Sequence, residues 1–460
     1  NGVVNSTGAG LVGSIANSTG TANVSSGGQW NLINNGVAQN LTVGNNGTGT
    51  LNVSTDGMVS AGTTAIGGTT TGVGAVKVEG TNAVLNTTTL TVANLGQGTL
   101  TIADSGIVNS TGAGVVGTAA NSTGTVIVDG TGSQWNLTGT LTTGGSGTGT
   151  MALTDNARVT SQGGTIGNAG AGTGTVDVST GAEWNNGNGT LMVGNSATGT
   201  LNIHDTGVVD AYETLIGVQA TGEGSVNVDG QGSVLNTGDL TVGQAGTGIL
   251  TVTDGSVVNS PNAYNIIEVG ASGRGTVNVT DSGTVNAGGI TVGTLATGTG
   301  SVNVDGTGSA LNLSGLLTLG YSGTGELTVT NNATVNSSGG TLGQLAGSTG
   351  TATVSSGAQW NPGDNPQTLL TVGDAGTGTL NINTGGTVSG GQASITLGNA
   401  ATGDGTLNVD GAGSVLDSQN SLTVGQSGTG TLNITNSGTA STHTVTAGAD
   451  AGSTGVINVS

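Results

Sequence analysis

The sequence repeats itself along its whole length, and this periodicity limits the fold more than any other feature. A short aliphatic segment such as LTVG recurs roughly every 25 residues and ends, in nearly every copy, at a glycine. Periods of roughly 20 to 50 residues are typical of solenoids, in which each repeat packs only on its neighbours. The repeat registers are Gly13, Gly44, Gly67, Ala93, Gly117, Gly144, Gly167, Gly194, Gly217, Gly243, Gly270, Gly293, Gly320, Gly343, Gly373, Gly398, Gly425 and Gly448.

Two kinds of repeat unit alternate. The first reads LTVGNNGTGTLNVSTDGMVS from Leu41 and is usually 23 residues long, while the second reads STGTVIVDGTGSQWN from Ser122 and usually takes 26 or 27. The alternation slips once, where two units of the first kind follow each other at Gly243 and Gly270.

The slip brings in the least regular stretch of the chain, from Ser260 to Ile267. It contains Pro261 and Tyr264, and the repeat pattern predicts that any local feature lies there.

Each unit holds three aliphatic segments separated by Gly, Asn, Asp and Ser, the residues that favour turns. In the first kind these are Leu41 to Val43, Leu51 to Val53 and Met58 to Val59, and alternation with period two places Leu and Val inside. We therefore predict an all-β fold: a right-handed, single-stranded parallel β-helix of about 18 three-sided coils that alternate between 23 and 27 residues. The pattern predicts one continuous solenoid over residues 1–460, truncated within a repeat at both ends.

The outward positions of the strands are expected to form ladders of like side chains from coil to coil. One predicted ladder consists of threonines and another of asparagines, whose amides can hydrogen-bond along a stack of strands. Their members are Thr42, Thr91, Thr142, Thr241, Thr318, Thr371 and Thr423 for the first, and Asn52, Asn202, Asn278, Asn381 and Asn433 for the second.

Charge and composition exclude several classes of protein. The chain carries 24 acidic residues against 3 basic ones, a formal net charge of −21, and the basic residues Lys77, Arg158 and Arg274 lie far apart. Nucleic acid is therefore not an expected partner, because binding phosphate needs clustered Lys and Arg. No apolar run reaches the roughly 18 residues of a membrane span, and there is no cysteine. We expect any export signal or anchor to lie outside this segment.

Aspartate is the one chemical group with regular placement. The functional interpretation is calcium held by carboxylates of adjacent turns. The simpler one is that Asp opens turns by hydrogen-bonding to the backbone, which Thr55, Asn331 and Thr384 at equivalent positions favour, and the chain lacks the calcium-binding GGxGxDxUx nonapeptide. We therefore predict no cofactor and no metal site. The aspartates are Asp104, Asp155, Asp205, Asp254 and Asp281 in first-kind units, and Asp129, Asp229, Asp305 and Asp410 in second-kind units.

Four tryptophans occupy one position of the second unit, as in GSQWN. A sugar-stacking ladder is one interpretation, but Leu85, Leu235, Leu311 and Leu416 fill that position in the other copies, which favours an inward or corner packing role. The four are Trp30, Trp135, Trp184 and Trp360.

No catalytic constellation is present in the sequence. His204 and His443 have no partner at metal-ligand spacing and are explained by exposed strand positions, and the three basic residues do not recur in a pattern that could assist acids in cleaving a polysaccharide. The many hydroxyls have no activating base, and glycine-rich runs precede strands rather than helices. We predict that the protein is not an enzyme.

The tandem LTVGxxGTGTLxVxxxGxV followed by GTVxVDGxGSxWN resembles the passenger repeats of bacterial autotransporter adhesins, the type V-secreted surface proteins of Gram-negative cells. This resemblance covers nearly the whole chain. It implies a right-handed parallel β-helix displayed outside the cell, acting in adhesion, autoaggregation or biofilm formation.

The leading hypothesis is thus an extracellular structural and adhesive rod or stalk that binds itself or a host or neighbouring cell surface. The alternative is a subunit of an extracellular fibre that polymerises end to end. Ice binding by the threonine ladder is a third hypothesis.

Overall fold

The computed structural model describes residues 2–260, 266–363 and 369–460, and Pro261 and Tyr264 of the irregular stretch lie outside the described residues. In these ranges the chain forms β-strands, turns and bends and no helix. The described residues accordingly contain no helix long and apolar enough to cross a membrane. The predicted all-β parallel solenoid of about 18 turns is confirmed.

Each coil contributes up to three strands, which stack on the strands of adjacent coils to form three faces. The first is the long face, with strands Thr19–Val24, Thr48–Ser54, Val73–Glu79, Gln97–Ala103, Thr123–Asp129, Thr148–Thr154, Thr173–Val178, Thr198–Ile203, Glu223–Asp229, Thr247–Thr253, Arg274–Val279, Thr299–Asp305, Thr324–Thr330, Thr349–Val354, Thr377–Asn383, Asp404–Asp410, Thr429–Thr435 and Thr454–Val459.

The second is the middle face, with strands Val3–Ser6, Gln29–Asn34, Met58–Ser60, Val84–Thr87, Ile107–Ser110, Gln134–Leu137, Arg158–Thr160, Glu183–Asn185, Val257–Ser260, Thr284–Ala287, Ala310–Leu313, Thr334–Ser337, Gln359–Pro362 and Thr387–Gly391.

The third is the short face, with strands Gly10–Val12, Leu41–Val43, Thr64–Ile66, Leu90–Val92, Gly114–Val116, Leu141–Thr143, Gly164–Ile166, Thr190–Val193, Ile266–Val269, Gly289–Val292, Leu317–Leu319, Gly340–Leu342, Leu369–Val372 and Ser394–Leu397. Four strands run from the middle face into the short face without a break: Val208–Ile216, Val234–Val242, Val415–Val424 and Thr439–Ala447.

The chain divides into two compact units, unit 1 with residues 1–227 and 232–236, and unit 2 with residues 228–231 and 237–460. Within each unit the faces are parallel ladders, and the register is constant except at two shifts in unit 2, between Ser389 and Gly391 and between Ser418 and Ser421. In unit 1, for example, Leu51 pairs with Val76 and Val76 with Leu100. In unit 2, Leu380 pairs with Leu407 and Leu407 with Leu432.

The core is a column of aliphatic side chains, as the alternation predicts. Leu51 and Val53 are fully buried while Asn52 between them is half-buried and faces outward. The residues at the same positions of later coils are also fully buried, as in the pairs Leu201/Ile203, Leu327/Val329 and Leu380/Ile382. Since like stacks on like, each coil buries its apolar residues against its two neighbours instead of in a globular centre.

The register glycines mark the corner between the short and long faces. Gly44 has φ +70°, and a β-carbon on it would lie 2.2 Å from the Val73 carbonyl oxygen of the next coil. Only glycine fits this conformation and this approach without strain, which explains why the repeat ends at glycine. Ala93 is the exception and adopts φ 61°.

One antiparallel element interrupts the parallel stack of unit 1. Strand Gln29–Asn34 turns back at Asn35 and Gly36 to pair with Val37–Ala38, with Ile33 opposite Ala38. Asn35 and Gly36 have φ 47° and 80°, as a type I′ hairpin requires. The Asn-Gly pair between two apolar segments is the sequence signal for this hairpin, and the repeat analysis missed it.

Candidate functional surfaces

The regular aspartates are turn residues. Those of first-kind coils follow the long strand and adopt the left-handed conformation, with φ of 50° at Asp104, 53° at Asp155 and 48° at Asp205. Asn331 stands at the equivalent position with φ 54°. The first-kind aspartates therefore lie at turns, in the left-handed conformation that Asp and Asn tolerate.

Aspartates of second-kind coils accept hydrogen bonds from the coil that follows. Asp410 Oδ1 accepts from Thr435 Oγ1 and from Asn436 Nδ2 at 2.7 Å, and Asp305 Oδ1 accepts in the same way from Thr330 and Asn331. The hydrogen bonds from Thr435 and Asn436 hold the pKa of Asp410 below its ordinary value. Their carboxylates thus serve coil-to-coil contacts, and the described residues contain no group of three Asp, Glu or His side chains arranged to hold a metal.

In unit 2 the slip in the repeat places two first-kind coils after Asp229, so that Asp254 and Asp281 follow it on consecutive coils. At Asp229 the following coil offers Asp254 where other coils offer Asn331 or Asn436, and the next coil adds Asp281. The pKa of Asp254 is raised, chiefly by its hydrogen bond with the Asp229 carboxyl group, then by burial and by the charges of Asp229 and Asp281. Asp229 Oδ1 is buried without a hydrogen-bond partner.

The tryptophans belong to the core. Trp135, Trp184 and Trp360 are fully buried, and Trp30 in the first coils is half-buried, so the packing interpretation is confirmed and no stacking ladder is exposed. Each indole Nε1 donates to a serine hydroxyl on the middle face of the preceding coil. The four bonds are Trp30 to Ser6 (3.1 Å), Trp135 to Ser110 (3.2 Å), Trp184 to Ser161 (3.1 Å) and Trp360 to Ser337 (3.1 Å).

A glycine on the short face of the preceding coil makes room for each indole ring. A β-carbon at Gly340 would lie 2.7 Å from Trp360 Cζ2, and Gly114 and Gly164 stand in the same relation to their own tryptophans. Where leucine replaces tryptophan, both partners change together. The serine position then holds Ala61, Ala211, Ala287 or the pair Gly390 and Gly391, and the glycine position holds Thr64, Thr214, Ile290 or Ile395.

Two of the three basic side chains are paired within unit 1. Lys77 forms an ion pair with Glu79, and Arg158 Nη2 lies 3.0 Å from Glu183 Oε1 of the next coil. Arg274, in unit 2, is exposed and has no ion pair within the described part of the chain.

The two histidines lie apart, as expected. His204 occupies the turn after strand Thr198–Ile203, where its Nδ1 lies 2.9 Å from Asp205 Oδ2, so its predicted strand position is wrong. His443 is exposed on strand Thr439–Ala447.

The predicted asparagine ladder is formed only in segments, although these include asparagines beyond those predicted. The residues that separate Asn52 from Asn202 in unit 1 are Lys77, Thr101, Ile127, Ala152 and Asp177, and those that separate Asn303 from Asn381 in unit 2 are Thr328 and Thr353. On the long face, Asn433 Nδ2 donates to Asn408 Oδ1 at 2.8 Å and Asn408 to Asn381 at 2.8 Å. The middle face carries a second ladder that the sequence analysis missed, with bonds of 2.8 to 3.0 Å joining Asn259, Asn286, Asn312, Asn336 and Asn361.

The threonine ladder differs from the prediction. In unit 1 it is broken, since Ala65 lies between Thr42 and Thr91, and Val115 follows Thr91. In unit 2 Glu268 lies between Thr241 and Thr291, and the ladder is continuous only from Thr291 onward, where Thr341, Thr396 and Thr446 fill the intervening coils. Thr318 and Thr371 within it are buried.

Comparison with known proteins gives partial likenesses. No family model matches the chain. An uncharacterised lipoprotein of Escherichia coli K12, YdeK, is 42% identical over 158 residues, which are 33% of this chain and 12% of the relative, so the chain spans about an eighth of that protein's length. The crystal structure of a TibA fragment, hyper-glycosylated by TibC catalysis, aligns over 98% of this chain and 97% of its own with a TM-score of 0.34 and 12% identity.

Proposed function

We propose that the chain is an extracellular structural and adhesive solenoid of the bacterial surface, which mediates adhesion or autoaggregation as a stalk-like segment. This proposal rests on one observation: the regularly placed polar side chains bond one coil to the next instead of converging on a site. Acids, amides and hydroxyls of regular placement are engaged in bonds from one coil to the next, as at Asp305, Asp410 and the two asparagine ladders.

Polar side chains that are engaged in this way suit a protein that binds or acts as a scaffold better than they suit an enzyme. Catalytic groups normally converge in a cleft with perturbed pKa values. Here the raised pKa of Asp254 belongs to a turn at an irregularity of the repeat, and its acidic neighbours have no basic partner in contact. The outward faces instead offer long, regular polar surfaces of the kind that suits contact with another large surface.

The proposal is tested by displaying the chain on cells of a non-aggregating Gram-negative strain through a heterologous anchor. We expect the cells to settle faster than cells that display an unrelated domain of similar charge, or to bind more strongly to abiotic or host-cell surfaces. Cells that neither settle nor bind above the control level contradict the proposal. Loss of polysaccharide chain length on incubation with purified protein would instead support an enzyme.

A further inference from the structure

Unit 1 carries a β-hairpin that stands outside the parallel stack, and its tip is open to solvent. All residues from 33 to 38 are exposed. Within the described residues, strand Val37–Ala38 pairs with strand Gln29–Asn34 and with no other strand. A β-carbon on Gly36 would meet no atom within 4 Å. We call residues 33–38 the hairpin tip.

The side-chain amide of Asn35, at the hairpin tip, is not engaged by the rest of the described structure. Neither this amide nor the Gly36 N–H has a hydrogen-bond partner in the described part of the chain. Glycine has no β-carbon that would keep its backbone nitrogen away from the side chain of the residue before it. The Gly36 nitrogen can therefore approach Asn35 Cγ once the turn opens.

Three other Asn-Gly pairs lie within the described residues, and the coils hold all three. The first pair, Asn46 and Gly47, sits at a corner of unit 1. Asn46 Oδ1 accepts a hydrogen bond from Thr69 Oγ1 at 2.6 Å, and the Gly47 N–H donates to the Gly13 carbonyl at 3.1 Å. Both reacting groups of this pair are thus engaged with neighbouring coils.

The other two pairs begin at Asn186 and Asn188. Asn186 is fully buried, and its Oδ1 accepts from Ser161 Oγ at 2.7 Å. Asn188 is exposed, but the Gly189 N–H donates to the Asn186 carbonyl at 3.2 Å. A β-carbon on Gly189 would lie 2.4 Å from the Gln162 carbonyl oxygen, so this glycine is packed against the preceding coil. Among the four described pairs, the hairpin tip alone leaves both reacting groups free.

We propose that Asn35 is a site of spontaneous deamidation, with water as the co-reactant. The Gly36 nitrogen gives its proton to hydroxide and attacks Asn35 Cγ. The Cγ–Nδ2 bond breaks, the leaving nitrogen takes up a proton and departs as ammonia, and a five-membered succinimide ring remains. Water then opens the ring at either carbonyl and yields aspartate or isoaspartate, so one amide and one water become one carboxylic acid and one ammonia. The site goes beyond the proposed adhesive function and does not depend on it.

The hairpin controls how fast this reaction runs. Asn35 and Gly36 have φ of 47° and 80°, and ring closure requires the peptide between them to rotate out of this turn. Strand Val37–Ala38 is two residues long, so opening the hairpin tip costs much less free energy than opening a coil. The reaction is therefore slower in the folded tip than in an unfolded chain, and much slower still at the three pairs held in coils.

The products change the hairpin tip in two ways. Either product adds a negative charge, because a carboxyl group at the surface is ionised at neutral pH. Isoaspartate also adds a carbon to the main chain between residues 35 and 36, and the two-residue type I′ loop cannot accommodate it. Molecules that have aged outside the cell should therefore lose the pairing of the hairpin while the coils beneath it stay intact.

The test is incubation of the folded full chain in mildly alkaline buffer made with heavy-oxygen water, followed by mass spectrometry. We expect label at Asn35 to appear at least about tenfold faster than at Asn46, Asn186 or Asn188, because those sites react only after a coil opens. In denaturant the four sites should react at similar rates. Equal rates in the folded chain, or a preference for Asn35 that persists in denaturant, would overturn the proposal.

The sequence also allows the two products to be told apart. No aspartate precedes Asp56, so a protease that cuts before aspartate leaves residues 1–55 of the fresh chain in one piece. The aspartate product adds a cut before residue 35, whereas isoaspartate resists this protease and is labelled by an isoaspartyl methyltransferase.

Two variants serve as controls for this digest. Asn35→Gly keeps a residue that suits a type I′ turn but removes the amide, so neither the new cut nor the methyl label should appear there. Asn35→Asp shows the cut without incubation and marks the position of the expected fragments. An aged parent chain that gives neither the cut nor the methyl label at residue 35 contradicts the proposal.

Discussion

Thr143 is a polar residue in an otherwise aliphatic column. It ends strand Leu141–Thr143 at the position held by Val116 in the preceding coil and by Ile166 in the next. Its Oγ1 is buried and has no hydrogen-bond partner. Burial of an unsatisfied hydroxyl costs roughly 1 to 3 kcal/mol.

We predict that Thr143→Val stabilises the chain by about 1 to 2 kcal/mol, because valine keeps the shape of threonine and removes the unsatisfied group. The free energy of unfolding from denaturant titration measures the effect. Thr142→Val, at the neighbouring half-buried outward position, is the control and should change stability by less than about 0.5 kcal/mol. A destabilised Thr143→Val variant would show that a partner for this hydroxyl exists.

Asp254 replaces the asparagine that would donate to Asp229. Since the pKa of Asp254 is raised above its ordinary value of 3.8, the folded state favours its protonated form, and this contribution to stability is lost as the pH rises through the raised pKa. We predict that Asp254→Asn raises the melting temperature at pH 7 and that the gain shrinks as the pH falls through the raised pKa of Asp254 toward the ordinary value of 3.8. A pH series of thermal melts on both proteins checks this, and a gain that is equal at pH 3 and pH 7 would contradict it.

At the scale of a structural element, the core around a second-kind coil is filled by one of two combinations of side chains. One combines Trp with Ser and Gly of the preceding coil, and the other combines Leu with a small residue and with Thr or Ile. Both combinations fill the same space. With tryptophan the large side chain lies on the middle face and glycine lies on the short face of the preceding coil, whereas with leucine the short-face position holds the larger Thr or Ile.

This pairing predicts a change of sign in a double-mutant cycle. Gly340→Ala in the parent chain forces a methyl group against Trp360 and should cost about 1 to 3 kcal/mol. In a Trp360→Leu background the same substitution fills space that the indole has vacated and should stabilise the chain. Denaturant titration of the four proteins gives the interaction energy, and a Gly340→Ala effect of the same sign in both backgrounds would refute the coupling.

The sequence predicted the elements well because strand alternation and turn residues act locally. Leu41–Val43 is a strand with the bounds predicted, and its neighbours in later coils follow. The serine and glycine partners of the tryptophans were missed because they lie on another coil, and their distance in sequence becomes meaningful only when the register is known. The hairpin at Asn35 and Gly36 was missed for a different reason: it breaks the repeat that the analysis followed.

At the scale of the whole molecule, negative charge greatly exceeds positive charge. With 24 acidic and 3 basic residues, repulsion among carboxylates destabilises the folded chain, and salt screens it. We predict that raising the salt concentration from about 10 mM to about 150 mM raises the melting temperature. Equal rises with NaCl and choline chloride would show screening, whereas a rise with only one of them would indicate specific ion binding.

Calcium is a separate case, and its expected absence leads to a prediction of its own. The aspartates that end the long strands of second-kind coils, such as Asp305 and Asp410, are held by hydrogen bonds within the chain, so chelation should not disturb them. We expect the melting temperature to be the same in EDTA and in millimolar CaCl₂, at matched ionic strength. A lower melting temperature in EDTA would establish a structural calcium site.

The tryptophan design also limits how such a gene can change in length. The serine and the glycine lie in one coil and the indole lies in the next, so the residues that depend on each other for packing belong to two different coils. A recombination event that duplicates or deletes two coils keeps each serine and glycine next to the coil they serve, whereas loss of the serine and glycine coil alone leaves the indole of the next coil without its partners. At the slip, two first-kind coils follow each other at Gly243 and Gly270, and neither carries a tryptophan that needs a serine and a glycine on the coil before it.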